Sequence, residues 1–103
     1  SYTVVRKADD VKLGTCGLYD RKGLQGIDIG FAFLPEYEGK GYAFEGANRL
    51  KKAAFEDFDV QTLSAITAPH NLSSQKLLVK LGLQLAGRIQ LPGEQAEVLL
   101  YVL

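Results

Sequence analysis

The apolar side chains of this chain change period once, sharply, and that change limits the folds open to it. Over residues 27–34, Ile27, Ile29, Phe31 and Phe33 alternate with Asp28, Gly30 and Ala32, the two-residue repeat of a strand. From Gly41 onward, Ala43, Ala47, Leu50, Ala54 and Phe58 recur at helical spacing. A loop containing Gly39 and Gly41 joins the two segments. A strand that feeds a helix so directly belongs to a layered arrangement, its bulky face packed into a core. The opposite face, Asp28, Gly30 and Ala32, is small enough to let something approach the backbone.

The flanking segments extend the pattern. Residues 2–7 are rich in β-branched side chains and read as a strand, residues 8–10 as a tight turn, and residues 11–19 as the hairpin partner. Gly14 and Gly17 weaken the regularity of that ladder. Residues 20–26 are a turn-rich connection. Residues 62–67 read as a short strand that Pro69 ends. Asn71 is placed as the N-cap of a second helix, with Leu77, Leu78 and Leu81 as its buried stripe and Gly82 as its left-handed stop. Leu83, Leu85, Ile89 and Leu91 mark an alternating strand, Pro92 and Gly93 a turn, and residues 98–103 the return. On the wet side of the first helix, Glu45 with Arg49 and Lys52 with Glu56 are spaced as i,i+4 ion pairs. The expected order is β-β-β-α-β-α-β-β: an α/β chain with a mixed sheet, its hairpins antiparallel and its helical crossovers parallel.

With 103 residues, the whole span 1–103 is expected to form a single domain. Twelve basic residues balance twelve acidic ones, which argues against nucleic-acid and anionic-membrane partners, since those demand a basic excess. No apolar run approaches the roughly 20 residues that span a bilayer. Cys16 is the only cysteine and is read as a packing residue; with no signal segment, a cytoplasmic protein is expected. The chain has no methionine and opens in strand-like sequence, as if it starts partway through something longer. Residues 2–7 should then present a sheet edge, and either a homo-oligomer or a longer parent chain is expected to cover it.

Chemistry concentrates in residues 34–43. Gly39 and Gly41 let backbone N–H groups converge around Lys40, and a helix N-terminus with unpaired N–H groups and a positive dipole end suits an anion, most often phosphate. No Gly-x-x-x-x-Gly-Lys-Ser/Thr string exists here, so a P-loop is excluded. The dinucleotide fingerprint fails too: Phe44 stands where its third glycine belongs, and two hairpin-like strands precede the loop. Glu36-Tyr37-Glu38-Gly39-Lys40-Gly41 at a strand-to-helix junction resembles the Gln/Arg-x-x-Gly-x-Gly/Ala signature of the GCN5-related N-acetyltransferases (GNAT), with Glu36 in place of Gln/Arg. Together with Asp28-Ile29-Gly30-Phe31, Asn71-Leu72-Ser73-Ser74 and Lys80-Leu81-Gly82, the chain looks closest to the ribosomal-protein N-acetyltransferases (RimJ/RimL type).

That resemblance implies a GNAT fold lacking its N-terminal part, with acetyl-CoA as cosubstrate, no metal, and an amine acceptor such as a protein N-terminus or a small molecule. It implies that N–H groups of Gly39, Lys40, Gly41, Tyr42 and Ala43 hold the pyrophosphate, and that the strand at Phe31, Ala32 and Phe33 runs beside the pantetheine arm. Asn71 would contact that arm as well as cap its helix, and Lys76, with Lys80, would face the 3′-phosphate. Ser74 is a candidate acid for the departing thiolate, because Leu78 occupies the position where many relatives carry a tyrosine; water is the alternative. The general base stays open. Asp28 lies beside the channel, although a strand-edge carboxylate is commonly solvated; Glu45 is explained by the helix dipole alone, and His70 reads as a surface loop residue. Glu36 and Glu38 are read as facing outward, since they would repel CoA. A non-catalytic acyl-CoA-binding or interaction domain is the alternative to an enzyme.

Overall fold

The computed structural model describes residues 2–6, 9–20, 26–33, 41–58 and 60–103. The alternating segments form six strands and the two periodic segments form helices: β1 (Tyr2–Val5), β2 (Lys12–Tyr19), β3 (Ile27–Phe33), α1 (Tyr42–Glu56), β4 (Leu63–Thr67), α2 (Leu72–Lys80), β5 (Gln84–Ile89) and β6 (Val98–Val102). One mixed sheet results, ordered β1-β2-β3-β4-β6-β5, with β1 and β5 at its edges. The β3–β4 pair is parallel, as a helical crossover requires, and the other pairs are antiparallel.

Register sorts the side chains onto two faces. Cys16, Leu18, Ile29 and Phe31 share a face with Leu63, Ala65, Leu99 and Tyr101, and this face meets Ala47 and Leu50 of α1 and Leu78 and Leu81 of α2 in a single apolar core. Leu13 and Cys16 are both buried although three residues apart, which a regular strand forbids. A register shift between Val4 and Val5 resolves it: Gly14 faces Val4 and Lys12 faces Val5, so Leu13 is the extra residue of a bulge. The loss of regularity expected around Gly14 is therefore real. Burial pushes the Cys16 thiol up from its usual range, in keeping with a packing role.

Both ends of α2 are set by its sequence. The Asn71 Oδ1 accepts from the Ser74 N–H at 3.1 Å and from the Ser73 hydroxyl at 3.2 Å. At the other end Gly82, at φ +97°, closes a Schellman motif: its N–H donates to the Val79 carbonyl and the Leu83 N–H to the Leu78 carbonyl, both at 3.0 Å. Leu78 and Leu83, the apolar pair this motif brings together, are 0% and 2% exposed. The Lys51 ammonium of α1 donates to the Leu81 carbonyl, tying the end of α2 to its neighbour.

Several expectations need correction. Phe58 falls beyond the end of α1 and is 53% exposed, because the helix stops at Glu56 with Asp57 as C-cap. Neither Glu45–Arg49 nor Lys52–Glu56 closes to ion-pair distance; among the described residues the ion pair formed is Arg6–Asp9 at 2.7 Å, inside the β1–β2 turn. Leu91 lies past the end of β5. No helix among the described residues is long and apolar enough to cross a membrane.

Candidate active site

The site begins where two strands part. β3 and β4 pair only at Ile27–Leu63 and Asp28–Ser64, although β3 continues to Phe33. Beyond Asp28 the two strands diverge, and the β4-facing edge of β3 leaves its ladder. Beside this divergence a cavity of about 300 Å³ opens, lined by Thr15, Tyr19, Asp28, Gly30 and Ile66 of the sheet and Ser74 of α2 among others. Its walls follow from the small face read in the sequence. A Cβ placed on Gly30 would lie 3.0 Å from Cε2 of Tyr19, so the tyrosine ring leans across the glycine and a side chain there would displace it.

A second cavity, of about 490 Å³, adjoins the first. Phe31, Ala32 and Ser74 line both. Its remaining walls are Gly41, Ala43 and Phe44 from the start of α1 and Asn71, Ser73, Lys76, Leu77 and Lys80 from α2. Gly41 is the N-cap of α1 at φ +85°, a left-handed conformation, and no side chain caps the helix. The first intrahelical bond goes from the Glu45 N–H to the Gly41 carbonyl at 3.0 Å, which leaves the first-turn N–H groups of Tyr42, Ala43 and Phe44 without a helical acceptor. An anion at this end would be held by those donors and by the helix dipole. The Lys80 ammonium stands 4.5 Å from the centre of the Phe44 ring, holding positive charge over the same cavity.

The structure thus brings together Phe31, Ala32, Gly41, Ala43, Asn71, Ser74 and Lys76, which the sequence scatters over three elements. Ser74 sits at the junction of the cavities and Asp28 in the smaller one. Asp28 is only 1% exposed, so the expectation of a solvated strand-edge carboxylate is wrong: β3 is an interior strand, flanked by β2 and β4. The Tyr42 side chain does not reach this cleft. It lines a separate apolar groove of about 810 Å³ between β1, β2 and α1, with the Arg6 guanidinium 6.0 Å from its ring centre. Gly39, Lys40, Glu36, Glu38 and the Phe33 side chain lie outside the described residues. His70 is exposed on the loop before α2 and lines neither cavity. Tyr19 and Thr15 were not foreseen, because they reach the site only through the β2–β3 register. Among the described residues no group of three or more His, Cys, Asp or Glu side chains could hold a metal ion.

Comparison with known proteins accounts for this architecture. Residues 1–84 match the family model of the acetyltransferase (GNAT) domain. The chain belongs to the GNAT family. It is 28% identical over 86 residues to the uncharacterized N-acetyltransferase YnaD of Bacillus subtilis, covering 84% of this chain and 51% of that protein. The GNAT-family acetyltransferase from Bacillus anthracis superposes with a TM-score of 0.84 at 25% identity, over 98% of this chain and 63% of that one. The ribosomal-protein-S5-alanine acetyltransferase from Vibrio fischeri shares the fold at a TM-score of 0.81 and 22% identity, over 96% of this chain and 57% of its own. This GNAT chain spans about half the length of the curated relatives it matches. The diverging strands and the uncapped α1 belong to a GNAT fold whose described part carries the two cavities.

Proposed function

We propose that this chain carries the cofactor side of an N-acetyltransferase, which transfers acetyl from acetyl-CoA to a primary amine, with a protein or peptide N-terminal amine of the RimJ/RimL type as the acceptor class. The observation that carries the reading is the shared wall of the two cavities. The two share Phe31, Ala32 and Ser74, and between them they reach from the uncapped N-terminus of α1 to the buried carboxylate of Asp28.

Each part of the cleft suits one part of the reaction. The N–H groups of Tyr42, Ala43 and Phe44 receive the pyrophosphate, Lys76 and Lys80 supply positive charge toward the nucleotide end, and Asn71 offers its amide to the pantetheine arm. The thioester then falls at the junction marked by Phe31, Ala32 and Ser74. The lining of the smaller cavity contains one carboxylate and no basic residue among those described, so it favours an ammonium over an anion. Asp28 takes the proton from that ammonium, whose nitrogen attacks the acetyl carbonyl carbon. An N–H of β3 beyond the last β4 pair stabilises the oxyanion. When the carbon–sulfur bond breaks, the thiolate takes a proton from the Ser74 hydroxyl or from water. An N-terminal α-amine, with an ordinary pKa near 8 against about 10.4 for lysine, asks less of such a base.

The test is ligand-dependent stability followed by turnover. Acetyl-CoA at 100 times its Kd should stabilise the chain by about 2.7 kcal/mol, and the Tm should keep rising with concentration. Gly41→Glu should abolish the shift by putting a side chain and a negative charge at the anion end. No shift with saturating acetyl-CoA refutes the reading; binding without acetyl transfer to any of a panel of peptide and small amines reduces it to a non-catalytic acyl-CoA-binding domain.

A further inference from the structure

Register stacks three cross-strand pairs on one side of β2 and β3: Tyr19–Asp28, Gly17–Gly30 and Thr15–Ala32. The middle pair has no side chains, so it leaves a bare step between the other two. The Tyr19 ring leans diagonally from β2 into that step, where a Cβ on Gly30 would lie 3.0 Å from its Cε2 and 3.5 Å from its Cδ2. Tyr19 is nevertheless 39% exposed, and it lines the smaller cavity together with Asp28 and Ser74. The ring is therefore not core packing. One edge rests against β3 at Gly30, and the side chain forms part of the cavity wall.

At about 300 Å³ this cavity lies at the bottom of the range usual for small-ligand sites, roughly 300–1,000 Å³. In the proposed reaction it receives both the acetyl end of the thioester and the amine, so a phenol ring in its wall decides how much bulk fits beside the nitrogen. We propose that Tyr19 is a specificity-determining residue: its ring limits the bulk on the carbon next to the acceptor nitrogen, admitting small substituents there and turning away branched or aromatic ones. This rests on reading the smaller cavity as the acceptor end of an acetyl-transfer site. The ring acts by its volume, whatever bond the hydroxyl makes, and Gly30 is the residue that gives it room to lie across β3. An aromatic laid over a strand glycine also stabilises a sheet. A packing role alone would change stability and leave the choice of amine untouched.

The test uses two peptides that differ only in the first residue, alanine against leucine. Their binding to the CoA-loaded chain is measured by calorimetry, and their acetylation as kcat/KM. The wild type should favour the alanine peptide. Tyr19→Ala should shrink that preference about tenfold in both measurements, while Tyr19→Phe, which keeps the ring, should hold the wild-type ratio. Tyr19→Val, a good strand residue with a side chain much shorter than the ring, should behave like Tyr19→Ala and serves if the alanine variant does not fold. Equal use of the two peptides by the wild type, an unchanged ratio in the shortened variants, a ratio lost in Tyr19→Phe, or binding of neither peptide overturns the proposal. The binding arm needs no turnover. Tyr19-dependent selection by a chain that transfers no acetyl group would support the wall and refute the enzymatic reading; transfer with a preference indifferent to Tyr19 would do the reverse.

Discussion

Asn71 separates a structural role from a binding one within a single side chain. Its Oδ1 accepts both cap bonds, from the Ser74 N–H and from the Ser73 hydroxyl, while its amide Nδ2 takes no part in the cap. The residue also lines the larger cavity. Asn71→Ala removes the acceptor, and loss of an N-cap costs about 1 kcal/mol, or roughly 4–8 °C in Tm for a domain of this size. Asn71→Asp keeps the acceptor: aspartate caps as well as asparagine, and its charge meets the positive end of the α2 dipole, worth about 0.3–1 kcal/mol. Its Tm should therefore match or slightly exceed that of the wild type. The same change deletes the Nδ2–H donor and puts a negative charge in a cavity proposed to hold CoA. Losing one hydrogen bond of about 0.5–1.5 kcal/mol and adding repulsion should raise the acetyl-CoA Kd about tenfold. Differential scanning fluorimetry gives the first number and isothermal calorimetry the second. If Asn71→Asp is as destabilised as Asn71→Ala, the cap is not what Asn71 contributes. If it binds acetyl-CoA like the wild type, Asn71 is a cap and nothing more.

Leu78→Ala should cost about 3–4 kcal/mol by urea unfolding, since this side chain is 0% exposed and closes the α2 end against Leu83; a loss under about 1 kcal/mol would contradict that packing. Gly26→Ala should be far worse than Gly41→Ala although both glycines have positive φ. At Gly26 (φ +74°) a Cβ would lie 2.8 Å from the Thr62 carbonyl oxygen, whereas at Gly41 (φ +85°) it meets nothing within 4 Å. The Gly41 variant therefore bears only left-handed strain of about 1–2 kcal/mol, and equal losses in thermal unfolding would refute the contrast. The Cys16 thiol, raised by burial, should alkylate more slowly than a free thiol from pH 7 to 9 and catch up only in denaturant; fast labelling of the folded chain would place Cys16 outside the core.

What could be read without coordinates is what depends on neighbours in sequence. The Ala47, Leu50 and Ala54 stripe lies buried as its spacing requires. The Asn71 cap and Gly82 stop depend on residues a turn away at most, and both are where the sequence puts them. The small face of Gly30 and Ala32 was visible in the same way, as was the uncapped glycine entry to α1. Phe58 failed because periodicity says where a stripe points and not where a helix stops. The burial of Asp28 was not legible, because a carboxylate in an alternating strand looks solvated until the strand is known to be interior.

The site itself needed the third dimension. Nothing local to Ser64 says that it stands beside Asp28, nothing near Gly30 says that Tyr19 leans over it, and nothing in the helix patterns joins Lys80 to Phe44 or Lys51 to Leu81. The sequence by itself determined the order of the elements, the cap and stop of α2, the glycine entry to α1 and the family. Tertiary structure decided which residues meet: cross-strand register and the early parting of β3 from β4 arise from packing between distant segments, and no short-range spacing encodes them.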